Sequence, residues 1–385
     1  SANYGLVAER AAAQPLSGLS AQKALLAERR IHYHAQVMIE FFRARREMPS
    51  GLWKALHDQY LAAEQANIAD TRVADPLNEV WGAQSIKERY VAALLIDAAS
   101  PYSRTPREFA WLVRWALRFA PYCSIQDAEK ASEKASSLVL DQASDKGLHP
   151  AGLKNPERRL ICLETSKLAT HIQAMVSQLK KGATAASLGL GDDCVQPACA
   201  RLLVSLYRPW GLGASGRRFP RHRSKQQISI CTDLLAAAFF LSGKEFTQEG
   251  RPKIMDFTRT EALLTLGERV DEGELSDEKM EIRAAQLGYA LETWDVIDQS
   301  VAGFKMVRQE GQSRVEHRQL LGLRIPNGER LLLAEVSWLQ YSRDGVLGAG
   351  MSILPSPPSV ISVRIAANER GSRDQFRLGF IVPPV

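Results

Sequence analysis

The stretch "TWDVIDQSVAGFKMV", residues 293–307, is built from β-branched and alternating apolar residues around Asp298, Ser300 and Gly303. That grammar predicts strand, and it recurs on both sides. "QQISICTDL" (226–234), "LLGLRI" (320–325), "RLLLAEVSWLQYS" (330–342), "LGAGMSILP" (347–355) and "SVISVRIAA" (359–367) are short segments of the same kind, separated by Gly, Asn, Asp and Pro. Short strands punctuated in this way predict an antiparallel barrel or sandwich.

Upstream the pattern changes. "AQKALLAERRIHYHAQVMIEFFRAR" (21–45), "SIKERYVAALLIDAAS" (85–100) and "PREFAWLVRWALRFA" (106–120) repeat apolar residues at three- and four-residue spacing, which predicts helices. Pro49, Pro76, Pro101, Pro106, Pro121 and Pro150 fall between the periodic stretches, where proline opens a helix or ends the one before it. Residues 1–208 are therefore expected to form an all-α domain, either a bundle or a helical-repeat array. "LWKALHDQYLAAEQ" (52–65) has the spacing of a tetratricopeptide-type helix in a single copy. Glycines and two prolines in "YRPWGLGASGRRFPRHRS" (207–224) then break the pattern, giving a Gly-rich linker at 209–216 and a β domain at 217–385. Within the β domain, residues 250–293 return to helical periodicity with dense charge, so a helical insertion is expected there. The fold class is α+β.

The chain has 385 residues, 45% hydrophobic and 24% charged, an ordinary globular balance. Its 49 Lys and Arg against 43 Asp and Glu leave a formal charge of +6, which permits an anionic ligand but lacks the dense basic stripe of a nucleic-acid binder. Five scattered cysteines argue against a disulfide framework and for a reducing, cytoplasmic compartment. The one close pair, Cys194 and Cys199, lacks the partners of a zinc site, so no metal is expected. No apolar run approaches the roughly 20 residues that span a bilayer. A start without Met and an apolar finish, "FRLGFIVPPV", lead us to expect a piece of a longer protein.

Two sets of residues carry usable chemistry. "GRRFPRHR" (216–223) places Arg217, Arg218, Arg221 and Arg223 in a Gly/Pro-bounded loop just before a strand. Guanidinium groups are planar forks that suit phosphate oxygens and the O6/N7 edge of guanine, although a basic loop is commonly just solvated. Asp298, Ser300 and Gly303 supply the complement: a carboxylate accepts from guanine N1 and N2, a hydroxyl donates to phosphate, and glycine admits a base or backbone at close range. By itself the second set is explained by a β-turn.

Together, Arg217-x-x-x-Arg221 and Asp298-x-Ser300-x-x-Gly303 resemble the PilZ domain, a bacterial receptor family for cyclic di-GMP. "AEVSWLQYSRDGVLGAGMSIL" (334–354) looks like the closing strands of that fold, with Trp338 on one strand, a turn at Arg343 to Gly345, and Gly348 on the next. The resemblance covers roughly the last 170 residues. It implies a PilZ-like antiparallel β-barrel in which Arg217, Arg218 and Arg221 grip the ligand from a loop while Asp298, Ser300 and Gly303 bind a guanine on the barrel. The family separates the two motifs by a few tens of residues, whereas Arg221 and Asp298 stand 77 positions apart, a distance that a looped-out insertion absorbs.

Nothing else assembles into a site. His32 and His34, two apart on a helix, face different ways, and His171 stands alone among apolar residues. "LGLGDDC" (188–194) lacks calcium-loop spacing and reads as a turn, while Trp111 and Trp115 have the i, i+4 spacing of core residues. No nucleophile, base and orienting group can be combined, so binding is expected rather than catalysis, with no cofactor beyond the ligand cyclic di-GMP. A protein partner is expected through the helical domain. The alternative is a ligand-free scaffold carrying a degenerate module.

Overall fold

The computed structural model describes residues 2–13, 22–76, 82–127, 138–150, 160–212, 219–247, 277–309, 311, 313–326, 331–355, 358–364 and 376–383. They fall into two units, Ser1–Arg218 and Phe219–Val385.

Among the described residues the N-terminal unit begins with five α-helices: α1 (Ala2–Ala13), α2 (Lys23–Arg43), α3 (Leu52–Gln65), α4 (Ile86–Ala98) and α5 (Pro106–Phe119). Reciprocal capping boxes start α4 and α5. The Ser85 hydroxyl accepts from the Glu88 backbone N–H at 3.2 Å while the Glu88 carboxylate accepts from the Ser85 N–H at 2.9 Å, and Thr105 and Glu108 repeat the arrangement. Pro106 occupies the first turn of α5, where its missing N–H costs nothing. Every residue from Arg89 to Ile96 of α4 is buried, so this helix is covered on all sides and forms the centre of the unit. Arg89 is accommodated there by Glu28 of α2, whose carboxylate accepts from its Nε at 2.8 Å.

The N-terminal unit is not all-α, contrary to expectation. After α5 the described residues form four short strands, β1 (Ser124–Asp127), β2 (Leu138–Asp141), β3 (His149–Pro150) and β4 (Leu160–Glu164), in an antiparallel sheet ordered β1-β4-β2-β3. Leu140, Ile161 and Leu163 share the core of the helices. At two to five residues, with β2 buried throughout, these strands are too short to show a period. α6 (Ser166–Lys180) and α7 (Ala198–Leu206) complete the unit. A wide helical turn, Tyr207–Gly211, follows, and the fully buried Trp210 within it donates its indole N–H to the Leu95 carbonyl at 2.7 Å. Pro209 to Gly211 thus pack with the helices.

A second departure from expectation lies between α6 and α7. Cys194 and Cys199 form a disulfide, and both are buried. The turn into α7, held by the Cys199 N–H on the Val195 carbonyl at 3.0 Å, brings the two Cα atoms to 5.4 Å, inside the range a disulfide bridges. Cys123, Cys162 and Cys231 are outside any disulfide.

Among the described residues the C-terminal unit carries nine strands and two helices: β5 (His222–Arg223), β6 (Gln227–Cys231), α8 (Leu234–Ser242), α9 (Asp277–Gln286), β7 (Glu292–Ser300), β8 (Gly303–Arg308), β9 (Leu320–Arg324), β10 (Leu332–Tyr341), β11 (Leu347–Ile353), β12 (Ser359–Arg364) and β13 (Phe376–Ile381). Strands β7-β6-β9-β10-β11-β8 pair in that order, and β8 returns to β7, which closes a six-stranded antiparallel barrel. Trp294, Val296, Phe304, Met306, Leu323 and Val336 are among the alternate residues that fill it. A separate apolar cluster joins Phe239 and Phe240 of α8 and Ala284 of α9 to Leu331 and Leu333. α9 is the described part of the helical segment expected at 250–293, whose residues 250–276 lie outside the described residues. β12 and β13 form a separate two-stranded ribbon.

Candidate functional site

Strand β7 assembles the site. β6 pairs with its first half and β5 with its second, so β5 and β6 act as one interrupted strand along the same neighbour. Between them the Ser224 N–H donates to the Ile297 carbonyl at 3.2 Å and the Val296 N–H to the Gln226 carbonyl at 2.9 Å. A bulge in β7 between Val296 and Asp298 falls at this interruption and re-aims the residues beyond it. The register sets Arg223 opposite Asp298 and His222 opposite Gln299, which leaves Arg221 at the entrance to β5. From there the Arg221 guanidinium donates to the Asp298 carboxylate in an ion pair whose side chains are 24% and 20% exposed.

Ser300 and Gly303 are the facing ends of β7 and β8, joined by the turn Val301–Ala302. The Ser300 hydroxyl donates to the Gly303 carbonyl at 3.3 Å. A Cβ at Gly303 would meet the Met351 carbonyl oxygen at 1.9 Å, so the barrel itself requires glycine there. Both residues therefore have a structural task in the hairpin. Arg217 and Arg218 lie outside the described residues.

Pairing across the barrel extends this site over three more strands. Lys305 on β8 stands opposite Asp298 on one side and Gly350 of β11 on the other, and Gly350 stands opposite Trp338 of β10. Directly paired residues share a face, so Asp298, Lys305, Gly350 and Trp338 form one row on the outside of the barrel. The Trp338 ring lies against Gly350, where a Cβ would come within 2.0 Å of the indole nitrogen. Phe304 and Met306, flanking Lys305, point inward. Lys305 carries no motif that marks it in the sequence. Its signal was period two, since it follows Gly303 by two positions on the same face.

The titratable groups of the N-terminal unit are structural by comparison. Burial pushes His32 down to about 4. His34 accepts at Nδ1 from Gln59 at 3.1 Å and donates at Nε2 to the Leu52 carbonyl at 2.8 Å. His171 stacks on Tyr122 with ring centres 4.1 Å apart. Asp193 is held below the usual carboxylate range by Arg114, with the Trp111 indole N–H donating to it at 2.9 Å, so the "LGLGDDC" turn is clamped to α5. Among the described residues no group of three metal-binding side chains converges, and no helix is long and apolar enough to cross a membrane.

Residues 1–131 match a family model described as the N-terminal domain of the cyclic-di-GMP receptor FimW. The chain is also similar to the cyclic-di-GMP receptor FimW of Pseudomonas aeruginosa, with 24% identity over 200 residues, 51% of this chain and 32% of that protein. It spans about a third of the length of this relative.

Proposed function

We propose that this chain is a cyclic di-GMP receptor in which the dinucleotide docks on the outer face of the barrel, gripped by Arg217, Arg218 and Arg221 and read by Asp298. The observation that carries the reading is the meeting of Arg221 with Asp298: it puts a cation for phosphate and a carboxylate for guanine side by side. Ser300 and Gly303 keep the hairpin that presents Asp298, and Trp338 offers a ring on which a base can stack. Support from a separate part of the chain comes from residues 1–131, which match the receptor-domain family yet contain none of these side chains.

On this reading Arg221 is held in reserve by Asp298 and exchanges part of that contact for a ligand phosphate. Ligand binding between the arginine loop and the barrel then changes how the helical and β units are arranged. That coupling requires the ligand to prefer one arrangement over the other. The helical unit passes the change to a protein partner. The chain acts by binding rather than catalysis.

One observation favours a second reading, a ligand-free interaction module: Arg221, Asp298 and Ser300 already satisfy one another or their own hairpin without a ligand. Thermal unfolding with added dinucleotides separates the two. A ligand that binds only the folded chain stabilises it, by about 2.7 kcal/mol at a hundred times its Kd. The receptor reading expects cyclic di-GMP to raise the midpoint and cyclic di-AMP to leave it nearly unchanged. No shift with either, at concentrations up to the millimolar range, leaves the interaction module standing.

A further inference from the structure

We propose that Lys305 is a further ligand-contacting residue, the cation that meets a phosphate of the bound dinucleotide on the barrel side; the inference rests on the cyclic di-GMP reading above. Lys305 stands in the middle of the outer row, with Asp298 across β7 and Gly350 across β11. Opposed residues in such pairs hold their Cβ atoms about 4.5–5.5 Å apart. A guanine edge on Asp298 therefore has the Lys305 ammonium on the next strand, on the side toward Trp338.

The cation also lacks any other task. Arg221 pairs with Asp298 and gives up only part of that contact to a phosphate, and Arg308, at the other end of β8, donates to the carbonyls of Gly311 and Ser313 at 3.0 Å. The Lys305 side chain makes no hydrogen bond or ion pair with any described residue. Gly350, on its other side, is covered by the Trp338 ring, so the ammonium lies between the Asp298 carboxylate and an aromatic face. The plain alternative is a solvated lysine on an exposed sheet face. A solvated lysine predicts no effect on the ligand, which makes the two separable.

Isothermal titration of cyclic di-GMP into the wild type, Lys305→Met, Lys305→Arg and Lys305→Glu tests the assignment. Methionine keeps most of the stem without the charge, so Lys305→Met is expected to bind at least about fivefold more weakly. Lys305→Arg restores affinity to within about threefold, and Lys305→Glu binds worst of all. Added salt weakens wild-type binding more than that of Lys305→Met, because one screened charge contact has been removed. A purely structural lysine moves neither the salt dependence nor the rescue by arginine. Wild-type affinity and salt dependence in folded Lys305→Met and Lys305→Glu overturn the role of Lys305 and leave the receptor reading intact. A folded wild type that takes up no cyclic di-GMP overturns the receptor reading, and this inference with it.

Discussion

Arg221 and Asp298, separated by 77 positions in the chain, form an ion pair on the outer face of the barrel. The pair is a product of register: β5 lies along β7, the bulge before Asp298 turns that side chain outward, and α8 and α9 occupy the chain between the two strands. A long connection of this kind adds closure entropy only logarithmically, so the insertion does not prevent the two half-sites from meeting.

If Asp298 reads guanine, Asp298→Ala loses affinity and discrimination together. Leaving the guanine N1 and N2 donors unmet costs roughly 1–3 kcal/mol. Titrating cyclic di-GMP and cyclic di-AMP in parallel should show the preference for guanine shrinking in the variant. Equal losses for both ligands would remove Asp298 from base recognition.

Gly350→Val tests the outer row from the other end. A Cβ at this position would sit 2.0 Å from the Trp338 indole nitrogen, so the ring must leave its place. Overpacking of this kind costs about 1–3 kcal/mol, readable as a lower urea midpoint, and the Trp338 indole N–H resonance should move. An unchanged resonance and midpoint would show that the ring does not lie against Gly350.

The N-terminal unit predicts a pH effect. His57 is fully buried, its Nε2 donating to the Lys146 carbonyl at 2.9 Å and its Nδ1 accepting from the Tyr90 hydroxyl at 2.8 Å. Burial holds its pKa below the ordinary value of 6.5. A histidine depressed in this way stays neutral when folded and takes up a proton when unfolded, so its stabilisation is complete above about 6.5 and is lost as the pH falls. The stability advantage of wild type over His57→Gln, from urea unfolding, should therefore narrow between pH 7.5 and pH 5, values chosen to bracket a titration near 6.5. A gap that widens toward acid would contradict the neutral, buried assignment.

Much of this architecture was legible in the sequence because its elements are long or strongly punctuated. Segments 21–45, 85–100 and 106–120 became α2, α4 and α5, and the segment 293–307 became the β7–β8 hairpin. The sheet of β1 to β4 was not, since a fully buried "LVLD" has no period to distinguish strand from helix. The Cys194–Cys199 bond was missed because a separation of five positions has no meaning until the turn into α7 is known. At the candidate site, residue types pointed to Arg221 and Asp298, while their contact depended on strand register. Lys305 was hidden for the same reason: a lone lysine in "GFKMV" gains a context only when β7 and β11 are placed on either side of it.

The central claim, that the arginine loop and the barrel hold cyclic di-GMP between them, is tested most directly by isothermal titration of the wild type beside Arg217→Ala/Arg221→Ala. The account predicts saturable wild-type binding, weakened at least about tenfold in the double variant, while the free double variant stays folded with a modestly lower thermal midpoint, because the Arg221–Asp298 pair it loses is largely buried. Equal affinity in both proteins, or no binding by a folded wild type, would contradict it.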